Sequence, residues 1–245
     1  MDSLLLERLD DGIAVLRLNR PEARNALGSA QLAELEAAFA DVAGDAAVTA
    51  LVLSTMDVRG LCAGADVAEQ LDRDAAVARM EAFARVYAAL EAMPVPTIAN
   101  CVGNVVGAGA EMAAGCDLRV GGGNLKLVWA GARMGAPVGP ARLVPLVGLS
   151  RAKELILTGR VVEIDEAREI GFVHRSAPAE AAEDVALALA REVTAHSGEG
   201  LRALKEMFRE LERMPERVAR ENELLVDWQR HGAGLPSDGV RRGAG

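Results

Sequence analysis

Cysteine is scarce in this chain and histidine equally so. The three cysteines, Cys62, Cys101 and Cys116, are an odd number with no CxxC pair and no Cys/His spacing suited to zinc. Neither a disulfide framework nor a metal site is expected, and free thiols fit a reducing cytoplasm. The three histidines, His174, His196 and His231, are scattered and default to structural or surface roles. No run of about 18 apolar residues occurs, and Met1-Asp2-Ser3-Leu4 places no basic region ahead of an apolar stretch, so neither a membrane span nor a secretion signal is expected. A net charge of −9 supplies no basic footprint for nucleic acid, although a local cationic patch could still hold a phosphorylated cofactor.

What is present is ample apolar material. At 245 residues, 51% hydrophobic and 26% charged, the chain suits one large domain or a core with a short appendage. Residues 4–8 and 13–18 read as two strands joined by the turn Asp10-Asp11-Gly12. Ser29 opens a helix whose Leu32, Leu35 and Phe39 share one face. Thr49–Ser54 reads as a buried strand, a long helix runs from about Ala75 to Met93, and Val95–Asn100 reads as the next strand. Alternating strands and helices imply an α/β fold of stacked, largely parallel units. A helix follows from Gly107 to Ala114, then short strands at 118–120 and 125–128 around Gly121-Gly122-Gly123. The remainder reads as helices at about 150–158, 165–170, 179–195 and 198–229, the last interrupted at Pro215.

Two stretches of small residues stand out: Leu61-Cys62-Ala63-Gly64-Ala65-Asp66 and Gly103-Asn104-Val105-Val106-Gly107-Ala108-Gly109-Ala110-Glu111. Small side chains let a ligand approach the main chain, and glycine accepts the backbone angles such exposure needs. Two N–H groups aimed at one oxygen would stabilise the charge that develops on a thioester carbonyl. The plainer reading of Gly107 and Gly109 is close helix packing.

Four segments in register carry a family resemblance. Leu18–Leu27, Cys62–Asp66, Gly107–Glu111 continuing to Cys116-Asp117-Leu118-Arg119-Val120, and Leu157-Thr158-Gly159-Arg160 with Glu166-Ala167 and Ile170–Val173 together resemble the enoyl-CoA hydratase/isomerase (crotonase) superfamily over about residues 4–220. The resemblance implies a crotonase-like (ClpP/crotonase) spiral of ββα units over residues 1–190. It also implies a helical C-terminal region over 191–232, and trimers that often pair into hexamers. Residues 233–245 are expected to form a short disordered tail.

The resemblance also assigns roles. The N–H groups of Ala65 and Ala108 would form an oxyanion hole, and Glu111 aligns with the first of two glutamates that handle water in the family's hydratases. Ala108 stands where the family usually has glycine. Coenzyme A would enter as part of the substrate and not as a bound prosthetic group. The backbone at Ala63, Ala65, Asp66 and Val67 would hold its adenine end, and Arg24, with Arg59 as a second contact, would meet its phosphates. Asp66 has an equally open alternative as the cap of a helix starting near Val67. Gly107, Trp129 and Gly131 are candidates for the acyl pocket, with a core role as the alternative for Trp129. Tyr87 reads as helix packing first and as an acid second, and Asp117 as structural.

The chain departs from the family at one point that matters. Gly131 occupies the position of the second glutamate, and no carboxylate lies between Asp117 and Glu154. The leading expectation is a hydratase-like lyase that adds water to a 2-enoyl-CoA, or removes it, with one glutamate. The alternatives are a double-bond isomerase using Glu111 and a catalytically weak binder of acyl-CoA or acyl carrier protein.

Overall fold

Runs of apolar residues too continuous for a half-exposed sheet place the central strands between two helical layers. The computed structural model describes residues 2–235, and from position 236 onward the tail expected to be disordered lies outside them. In chain order the elements are β1 (Leu4–Arg8), β2 (Ile13–Leu18), α1 (Ser29–Gly44), β3 (Ala50–Thr55), α2 (Arg73–Glu91), β4 (Thr97–Cys101), β5 (Asn104–Val106) and α3 (Ala108–Gly115). They continue with β6 (Leu118–Gly122), β7 (Lys126–Val128), α4 (Gly131–Met134), α5 (Pro140–Val147), α6 (Leu149–Thr158), α7 (Ile164–Glu169), β8 (Arg175–Ala177), α8 (Ala182–Thr194), α9 (Gly198–Leu211) and α10 (Met214–His231).

The main sheet has the order β1-β2-β3-β4-β6-β8, with β5 and β7 forming a separate parallel pair. The hairpin partners β1 and β2 are antiparallel, and every later pairing in the main sheet is parallel. Side-chain alternation divides the core into two. Ala14, Leu16, Leu51 and Leu53 face α1 and α2, whereas Ile13, Val15, Ala50 and Val52 face Ala182, Ala186 and Leu189 of α8. Among the described residues no helix is long and apolar enough to cross a membrane.

Several expectations of the sequence need correction in detail. The strand expected to stop at Val120 continues through Gly122, because Gly121 and Gly122 pair with Ser176 and Ala177 of β8, and Ile164 and Val173 leave room only for glycine at 121. The C-terminal helices part at Arg213, which has a positive φ of 49°, and not at Pro215. Pro215 lies in the first turn of α10, where a missing N–H costs no helical bond. The elements β5, β8, α4 and α5 were not anticipated: the strands are three residues long, and α5 lies in a proline- and glycine-rich stretch.

Candidate active site

The two small-residue stretches meet as neighbouring strands. Cys62 N–H donates to Asn104 O (3.1 Å) and Val106 N–H to Cys62 O (2.9 Å), so the loop at 61–66 runs alongside β5. Beyond it the chain turns into α3 through Gly107, whose φ of +53° disfavours residues with a Cβ. Gly109 allows the close contact of helix and loop, since a Cβ there would stand 2.5 Å from Cys62 O.

This packing leaves two donors free. On either side of Ala65 the backbone bonds to Leu27: Leu27 N–H to Gly64 O (2.8 Å) and Asp66 N–H to Leu27 O (2.9 Å). Gly107 N–H is taken by Val128 O (2.9 Å). Neither the N–H of Ala65 nor that of Ala108 has a protein acceptor among the described residues. A Cβ placed on Gly64 would lie 3.7 Å from Ala108 N, which measures how near the two segments come. Ala108 opens α3, so its N–H belongs to the positive end of that helix.

Both donors border an apolar cavity of about 260 Å³. Its walls are Ala63 to Ala65 with Val67, Val106 to Ala108, residues of α2 (Met80, Phe83, Tyr87), the segment around α4 (Ala130, Gly131, Met134, Ala136, Val138), and Leu225 and Leu235. Tyr87 alone among these carries a hydroxyl, amide or charge. A larger open cleft of about 600 Å³ beside β7 and α7 contains none of the candidate catalytic, cofactor-binding or pocket residues.

Glu111 lies behind this wall and not on it, with its side chain 2% exposed. Its Oε2 is 3.5 Å from Nη1 of Arg142, and its Oε1 would be 3.3 Å from a Cβ at Gly139. Arg142 is shared. Its Nε donates to Glu91 (2.5 Å), Nη1 to Glu221 (2.8 Å) and Nη2 to Asn222 Oδ1 (3.2 Å), while the guanidinium carbon sits 4.5 Å above the centre of the Tyr87 ring. Three carboxyls therefore surround one buried cation, and full ionisation would leave net negative charge in a low-dielectric site. Burial, then the charge of Glu221, pushes the Glu111 carboxyl up to about 8 against the pull of Arg142. Burial also raises Glu91 despite the same guanidinium. Arg142 itself stays charged: burial disfavours the cation, but the three carboxylates outweigh it.

The cavity thus brings together Ala63, Ala65, Val67, Gly107, Ala108 and Gly131. It does not take in Trp129, which is 1% exposed and packs edge-on against Phe172 at 5.3 Å, so the acyl-pocket assignment for that residue is corrected to core. Asp66 caps no helix. Its Oδ2 accepts from Arg20 (2.7 Å) and its Oδ1 from Ala68 N–H (3.0 Å), while the next helix, α2, is capped by Asp72. Arg24 is exposed, with its carbonyl accepting from Ala63 N–H (3.0 Å), and Arg59 pairs with Asp57 at 2.6 Å. Asp117 accepts from Thr97 and Lys205, tying α9 to the sheet as a structural residue does. At Gly131 a Cβ would lie 2.8 Å from Val138 O and 2.9 Å from Ala136 O, so the backbone leaves no space for the missing glutamate.

No local pattern in the sequence marks the Arg142 cluster, because its members come from α2, α3, α5 and α10, far apart in the chain. An arginine amid Pro-Ala and Leu-Val in Pro140–Val147 was the available signal.

The parallel sheet, the glycine turn into α3 and the paired free N–H groups define an enzyme of the crotonase superfamily. The chain belongs to the enoyl-CoA hydratase/isomerase family, whose model matches residues 8–231. It is 33% identical over 214 residues to the 2,3-dehydroadipyl-CoA hydratase of Escherichia coli K12, covering 86% of this chain and 83% of that one. An enoyl-CoA hydratase/isomerase from Xanthobacter autotrophicus Py2 superposes with a TM-score of 0.84 at 26% identity, covering 96% of this chain and 90% of the other. A monofunctional enoyl-CoA isomerase from Mycobacterium smegmatis superposes with a TM-score of 0.73 at 27% identity, covering 86% and 93%.

Proposed function

We propose that the protein is an enoyl-CoA hydratase-like lyase that works with a single carboxylate. The observation carrying this reading is the pair of unsatisfied N–H groups at Ala65 and Ala108 facing an apolar cavity, with Glu111 one helical turn behind. The thioester oxygen accepts from both N–H groups. Water attacks C3 of a 2-enoyl-CoA while the Glu111 carboxylate takes one of its protons, and the two N–H groups hold the enolate charge. Glu111 then returns that proton to C2, so that H and OH have been added and the enzyme is restored. The carboxyl must turn from Arg142 into the cavity to do this; its Oε1 now lies 3.3 Å from where a Cβ at Gly139 would stand.

Coenzyme A enters as the carrier of the acyl group, with Arg24 exposed beside Ala63 for its phosphates. A homo-oligomer accords with α9, which exposes Leu204, Met207, Phe208 and Leu211 along one side.

The second reading is movement of a double bond by Glu111, since one base suffices to take a proton from one carbon and return it to another. Gly131 favours a third, a catalytically weak acyl-CoA binder. Absorbance of the conjugated thioester separates the first two. Hydration of crotonyl-CoA lowers it, whereas isomerisation of a 3-enoyl-CoA raises it, and the absence of both for every chain length would overturn the enzymatic readings and leave an acyl-CoA binder.

A further inference from the structure

Hydration places an oxygen on C3, and an oxygen in an apolar cavity needs a hydrogen-bond partner. Gly131 supplies none, and the Glu111 carboxylate, once turned into the cavity, accepts from that oxygen but cannot donate to it. Among the described residues Tyr87 is the one wall side chain with a polar group. The residue is 4% exposed and borders the cavity, and its hydroxyl has no hydrogen-bond partner among the described residues. Its ring is held by the Arg142 guanidinium at 4.5 Å and by Phe83, with ring centres 5.9 Å apart. The same guanidinium faces Glu111, so the phenol stands on the Glu111 side of the cavity.

We infer that the Tyr87 hydroxyl touches substrate and hydrogen-bonds the oxygen at C3: the water that enters in hydration, or the hydroxyl that leaves in dehydration. Tyr87 neither gains nor loses a proton in this role. Burial, followed by the charge of Glu111, raises the phenol well above its ordinary value, so it remains an O–H donor. The group it recognises is a thioester whose acyl chain carries an oxygen at C3. The inference rests on the hydratase reading for its catalytic part and on the cavity alone for its binding part.

Tyr87→Phe removes the oxygen and keeps the ring. Two measurements are made on wild type and variant with melting temperature as the control: kcat and KM for enoyl-CoA hydration, and calorimetric affinity for 3-hydroxybutyryl-CoA against butyryl-CoA. The expected result is a kcat lower by about tenfold, the worth of one hydrogen bond to an uncharged group, with an unchanged melting temperature. Wild type also prefers the hydroxyacyl thioester by about tenfold, and the variant loses that preference. No preference in wild type, or a variant that retains it, overturns the inference, as does equal weakening toward both ligands, which is the mark of packing. If Glu111→Gln is inactive while Tyr87→Phe matches wild type in both measurements, the inference fails and the hydratase reading stands. If wild type turns over nothing but the preference follows Tyr87, the hydratase reading fails and the binding role stands.

Discussion

Arg142 lies 3.5 Å from Glu111 but 2.5 Å from Glu91 and 2.8 Å from Glu221, so the proposed catalytic carboxyl has the weakest hold on the cation that all three share. Burial, then the charge of Glu221, pushes the Glu111 carboxyl up to about 8, so it keeps its proton well above the ordinary glutamate range. Its base form is the one that hydration requires. Turnover is expected to rise with pH along a limb centred near 8, where an ordinary glutamate would already be fully ionised. The folded-state value lies above the ordinary 4.5, so the folded protein binds the extra proton and the Glu111 contribution to stability falls as pH rises between about 4.5 and 8. A pH–rate profile paired with chemical denaturation over the same range checks both.

Replacing Arg142 by methionine keeps volume but strands three carboxyls without their counter-charge. Breaking a buried pair in this way costs about 3–5 kcal/mol. The loss is expected to grow as pH rises and Glu111 ionises, which urea titrations at two pH values would reveal.

Gly131→Glu restores the family's second carboxylate in sequence but not in space. Its Cβ would come within 2.9 Å of two carbonyl oxygens, those of Ala136 and Val138. The expected outcome is destabilisation by about 1–3 kcal/mol with no gain in turnover. A thermal melt and a hydration assay on the same preparation would show it.

Much of the fold was legible because its long elements carry strong periodicity. The hairpin, β3 and β4, and the apolar faces of α1 and α2 follow from spacing alone. The exposed backbone of the site could also be read, since glycine and alanine at 63–65 and 107–109 mark close approach. The side chains were harder. Tyr87 shares the face of α2 with Met80, Phe83 and Leu90, so its hydroxyl was hidden within a packing pattern. Arg142 finds Glu221 at a separation of 79 residues, a contact made only when α10 docks, and no local pattern encodes that.

The backbone role of Ala108 can be tested without altering a side-chain function. Proline at this position deletes the N–H, and as the first residue of α3 it costs no helical hydrogen bond. Gly107, at ψ −113°, already avoids the helical conformation that a following proline forbids. Ala108→Pro is expected to keep the wild-type melting temperature while kcat falls by about 10² to 10³, the usual effect of losing one oxyanion donor.

The most direct test of a single-carboxylate enzyme is crotonyl-CoA hydration by wild type and Glu111→Gln, followed as loss of enoyl-thioester absorbance at pH values spanning the Glu111 titration. Wild type should turn over faster as pH rises, and the glutamine variant, which keeps the shape but has no basic oxygen to take the proton, should be inactive throughout. Turnover in Glu111→Gln equal to wild type, with the same pH dependence, would contradict the account.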